Sequence, residues 1–177
     1  MNRARPFTLV PAVGLCALAM ACQRPDPIRL EPTFEEPAAL VSMIRISDPS
    51  TSGQLLRGFY PLEANAWRWA GPRFAVTLGT PPGARQNGAR LTLVFHLPDV
   101  SIEKLKEMTI AAKVGDVELP AQKYETSGDH EYRRELPASV FTRDELTADF
   151  TLDQFLTSEE DARKLSVIVK QVGFEPK

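Results

Sequence analysis

Cysteine is nearly missing from this chain. Only Cys16 and Cys22 occur, and both lie within the first 22 residues. The rest holds no thiol, which excludes an internal disulfide framework and a cysteine-based zinc site. Histidine is as scarce, with His96 and His130 alone. His130 sits between Asp129 and Glu131, but three sequence neighbours cannot all aim at one ion without ligands from elsewhere. We therefore expect no metal and no cofactor. The chain contains no Gly-x-Ser-x-Gly elbow, no His-Glu-x-x-His pair and no phosphate-binding loop. Its carboxylates are numerous enough for a glycosidase pair, as in most soluble proteins, so a small hydrolase is the weakest reading. A basic excess is lacking too, with 21 Lys and Arg against 23 Asp and Glu. That balance argues against a nucleic-acid partner, which demands a concentrated basic face.

A membrane-length apolar run is also absent. Residues 7–20 are apolar, but Pro11 and Gly14 interrupt them, and about 20 apolar residues are needed to span a bilayer. What stands there instead is an export pattern. Arg3 and Arg5 give a positive head, the short apolar centre follows, and Ala19-Met20-Ala21 supplies a small-x-small ending. Cys22 comes directly after it. This ending resembles the lipobox of bacterial lipoproteins, although leucine stands at Leu18, one place earlier than the commonest pattern. The resemblance implies cleavage before Cys22, a diacylglycerol on its thiol, and a membrane partner reached through that lipid. Anchoring in the cell envelope is expected, at the outer membrane if the host has one, with plain secretion as the alternative.

Residues 1–21 thus read as a signal peptide, 22–38 as a lipidated start and tether, and 39–177 as one domain. Pro25, Pro27, Pro32 and Pro37 keep the tether from pairing as a central strand. Cleavage would leave 19 basic against 23 acidic side chains, a modest solubility charge. A hydrophobic content of 43% is sufficient for a core without disulfides.

From residue 40 onward a period of two dominates. Strands are expected over 42–46, 74–78, 90–96, 108–114, 117–119, 129–136, 148–152 and 166–174. On 90–96, Leu91, Leu93 and Phe95 should face inward, with Arg90, Thr92, Val94 and His96 outward. Residues 79–88 read as a Gly/Pro-rich loop. Seven or eight short strands separated by turn signals indicate an all-β, antiparallel sandwich with one or two short helices. One helix is expected near 101–106. Capping-box patterns at Thr142 and Thr157 suggest two more short starts.

Aromatic and charged residues concentrate in one place. Tyr60, Glu63, Trp67, Arg68 and Trp69 fall within ten positions, and both tryptophans of the chain are among them. Glu63 invites pairing with Arg68 or Arg57. A sugar presents flat C–H patches that stack on indole rings, and hydroxyls that bond to Arg and Glu. A Trp-x-Trp on one strand face also serves as core. Together with Asp161-x-Arg163-x-Leu165, this stretch resembles bacterial envelope-associated jelly-roll domains akin to galactose-binding-like modules. That resemblance implies a jelly-roll-like sandwich. The expected function is a non-catalytic, lipid-anchored module whose partner is a glycan or another envelope protein. A structural or assembly subunit of an envelope complex is the alternative.

Overall fold

The computed structural model describes residues 40–157, 159 and 161–177. The signal segment, Cys22 and the Pro-rich stretch lie outside the described residues.

Among the described residues nine strands form: β1 (Met43–Arg45), β2 (Leu55–Phe59), β3 (Arg68–Gly79), β4 (Ala89–Leu97), β5 (Met108–Val114), β6 (Val117–Tyr124), β7 (Gly128–Leu136), β8 (Glu145–Leu152) and β9 (Val167–Pro176). Helix among the described residues is confined to α1 (Ala84–Asn87), α2 (Asp99–Leu105) and two 3-10 turns, Pro49–Gln54 and Ala138–Val140. All ladders are antiparallel, in the order β6-β5-β8-β3-β9-β4-β7, with β1 beside β9 and β2 beside β3.

Strand β3 makes the corner. Its Arg73–Gly79 part pairs with β8, and its Arg68–Ala70 part pairs with β9. Gly71 and Pro72 lie between the two ladders, and Pro72 has no N–H to donate. A strand that changes partners at such a break turns one sheet into two packed layers. The layers are β2-β3-β8-β5-β6 and β1-β9-β4-β7. The all-β antiparallel sandwich read from the alternation is therefore the observed architecture.

Alternation builds the core. Met108, Ile110, Ala112 and Val114 of β5 are buried, as are Leu146, Ala148, Phe150 and Leu152 of β8. Leu91, Leu93 and Phe95 of β4 meet them from the other layer. Phe74 stacks on Phe150 with ring centroids 4.8 Å apart and takes Phe59 edge-on at 5.2 Å. Phe141 meets Phe174 edge-on at 5.3 Å. In β9 the inward set shifts from Val169 to Val172 because Lys170 bulges out of register against β4.

Side chains seal the open edge between β6 and β7. The Tyr132 hydroxyl and Arg134 Nε both donate to the Pro120 carbonyl, at 2.9 and 2.8 Å. Arg134 also reaches Gln122 Oε1 at 3.0 Å, and its guanidinium lies 4.4 Å above the Tyr132 ring. The Tyr124 hydroxyl donates to the Glu131 carbonyl at 3.0 Å.

Several expectations need correction. The Thr142 pattern starts no helix; Glu145 opens β8 instead, because sheet pairing with β3 overrides a local cap. No helix follows Thr157 among the described residues, and Leu156 bridges Leu165 there. The loop over 79–88 contains α1. Thr92 faces outward as expected, opposite Arg133, but is fully buried. Arg90 and Arg133 lie on the same outer face and pair with Glu135, Glu175 and Glu131, closing over the short threonine.

Candidate functional site

The tip of the β2–β3 hairpin is a tight turn. Glu63 and Trp67 form a bridge, with Glu63 N donating to Trp67 O at 2.9 Å. Ala64 and Asn65 both take left-handed backbone angles, φ 49° and 53°. Two consecutive left-handed residues match the right-handed twist of the flanking strands. Asn65 suits that region; Ala64 is strained there.

Cross-strand register decides which way the aromatic residues face. Arg68 pairs with Val169 and Trp69 with Ile168. Directly opposed residues share a face. Val169 is in the core, and Ile168 is on the outer side. Trp69 therefore stands on the outer face, as does Trp67 two positions earlier. Both tryptophans are half-buried. Arg68 takes the inner side, where Nη1 donates to Tyr60 O at 3.1 Å while the buried Nε has no hydrogen-bond partner among the described residues.

A clasp from the far end of the chain holds this hairpin. Arg163 Nη1 donates to Glu63 Oε1 at 2.9 Å, and Nη2 donates to Asp161 Oδ2 at 2.7 Å. Arg163 Nε reaches both Asp161 oxygens at 2.9 Å. The guanidinium lies 5.4 Å from the centre of the Tyr60 ring. The Tyr60 hydroxyl accepts from Lys164 N at 3.0 Å and donates to Lys164 O at 3.3 Å. Hydrogen bonds from Arg163 hold the Asp161 carboxyl below its ordinary range, and those same bonds, with Glu63, raise the guanidinium further. This arrangement holds one guanidinium between two carboxylates.

Glu63 thus pairs with neither Arg68 nor Arg57. Arg57 turns instead to Asp149. Of the residues read from the sequence as a site, Tyr60 and Glu63 join the clasp, Trp67 and Trp69 form the outer surface, and Arg68 braces the hairpin from within. Asp161 and Arg163 entered the sequence reading through the resemblance to jelly-roll domains and not as site residues; their short spacing before the last strand was the available signal. Cys22 lies outside the described residues. The other acidic and histidine cluster disperses, with His96 Nδ1 and Lys170 on Asp129 at 2.8 and 2.7 Å, and His130 Nε2 on Thr126 O at 2.8 Å.

No protein-family model matches this chain, and no curated protein does. It is similar to a solved structure described as "CBM4 structure and function", with 12% identity and a TM-score of 0.35 over 76% of this chain and 85% of the other. A likeness of that depth bears on neither ligand nor activity.

Proposed function

We propose that this chain is a non-catalytic sandwich module of the bacterial cell envelope, tied to the membrane by a lipid on Cys22, that presents Trp67 and Trp69 to a glycan. The observation that carries the reading is the register of Trp69 with Ile168, which places the indoles on the outer face and not between the layers. Half-buried rings are held stiffly and still offer a flat surface, which suits stacking on sugar C–H bonds. Tyr60, Glu63 and Arg163 brace that surface through paired charges.

Tryptophan fluorescence titrated with a panel of envelope polysaccharides tests the proposal. A saturable shift with at least one polysaccharide is expected, weakened tenfold or more in Trp67→Ala and Trp69→Ala. An unmoved spectrum across the panel, with apolar crosslinks to an envelope protein mapping near the exposed Phe155, would favour the assembly-subunit reading instead.

A further inference from the structure

A hollow of about 360 Å³ lies on the outer face of the β2-β3-β8-β5-β6 layer, away from the tryptophans. Register builds it. Lys113 of β5 opposes Asp149 of β8 on one side and Glu118 of β6 on the other. In the next row Ala111 opposes Thr151. These two short side chains leave the floor bare, where a sheet surface ordinarily carries long ones. Arg57 leans in from β2 and binds Asp149. The rim therefore alternates two cations, Arg57 and Lys113, with two carboxylates, Asp149 and Glu118. None of the described lining residues is aromatic.

This composition selects a ligand by exclusion and by match. An apolar group would strip water from four charges without replacing it, which is costly. A ligand carboxylate would meet the like charges of Asp149, ion-paired to Arg57, and of Glu118, both opposite Lys113 in register. A hydroxyl both donates and accepts, so it satisfies either sign. The volume falls at the lower end of small-molecule sites, enough for a single ring.

We propose that this hollow is a second binding site, for one uncharged, hydroxyl-rich ring of the neutral hexose class, held by hydrogen bonds to Asp149, Glu118, Lys113 and Arg57 without aromatic stacking. It stands independently of the tryptophan face. Its affinity should be weak, because no stacking contributes.

Amide NMR of the full domain, titrated separately with galactose, glucose and galacturonic acid, tests it. Saturable shifts at the amides of Ala111, Lys113 and Thr151 are expected with a neutral sugar, while the indole signals of Trp67 and Trp69 stay still. Galacturonic acid should act at least several-fold more weakly. Ala111→Phe fills the hollow from an outward position and should abolish the shifts. Lys113→Met provides the same check without added bulk and should weaken binding severalfold. No shift with any of the three sugars, an equal response to galacturonic acid, or shifts that survive both variants would overturn the proposal. Movement confined to the indole signals would overturn it while supporting the tryptophan surface.

Discussion

Glu63 and Arg163 are 100 residues apart in sequence and meet at 2.9 Å. One belongs to a hairpin tip, the other to the turn that feeds the last strand. Their contact fastens the aromatic hairpin to β9 at the corner where β3 changes layers. Side chains here are about one-third exposed, 36% for Arg163 and 38% for Glu63. Solvent screens such pairs, so their value lies in geometry more than in global stability.

Arg163→Gln is accordingly expected to lower the melting temperature only slightly. It should, however, raise hydrogen exchange at the amides of Glu63 and Trp67, which close the tip. Exchange measured by mass spectrometry on the variant checks this. A large loss of global stability with unchanged local exchange would show that the clasp is a general brace and not a local one.

The aromatic stack inside the sandwich behaves differently. Phe74 is 1% exposed and touches both Phe59 and Phe150. Phe74→Ala removes a ring from a close-packed core and should cost about 3–5 kcal/mol. Phe74→Leu keeps part of the volume and should cost clearly less. Chemical denaturation midpoints for the two variants give the comparison.

Much of this core was legible because β4, β5, β8 and most of β9 each bury one face, so their period of two is clean. Strand β2 was not legible. Its Leu56, Arg57 and Gly58 are all exposed, and Gly58 adopts φ 79° at a register shift, so no alternation survives. The strand expected over 74–78 starts earlier, at Arg68, and turns a corner at Gly71-Pro72. Thr92 was given its outer face but not its burial, because alternation gives a face and not the height of the neighbours on it. The tryptophan stretch was legible as a candidate surface from composition alone. Arg163 was legible only as part of the resemblance that joins it to this stretch; its bond to Glu63 was not, since nothing local couples residues so far apart.

Acid should weaken the domain through a small set of carboxylates. Asp161 is held low by Arg163, Asp129 by Lys170 and His96, and Glu135 by Lys177 and Arg90. Each has a folded value below its unfolded one. Their contribution is thus complete above the unfolded range, near 3.8 for Asp and 4.5 for Glu, and is lost as pH falls through the folded values. Urea midpoints should be flat from neutral pH to about 5 and decline below about 4.5. High salt should reduce the slope, since these pairs are exposed.

The β6–β7 edge yields the last prediction. Neither strand pairs with the other, so each turns unladdered carbonyls toward the gap. Arg134 occupies it, donating to Pro120 O at 2.8 Å, Ala121 O at 3.3 Å and Gln122 Oε1 at 3.0 Å. Open strand edges invite pairing with another copy, and a charged side chain laid along the edge is a common defence. Arg134→Ala removes three hydrogen bonds across the gap and the cation over Tyr132, while Tyr132 keeps its own bond to Pro120. The variant should stay folded and acquire concentration-dependent self-association, visible by light scattering. Arg134→Lys retains the charge but cannot fork across three acceptors, so it should fall between the two. If Arg134→Ala stays monomeric at every concentration where the parent does, the edge is guarded by Pro120 and the strand twist alone.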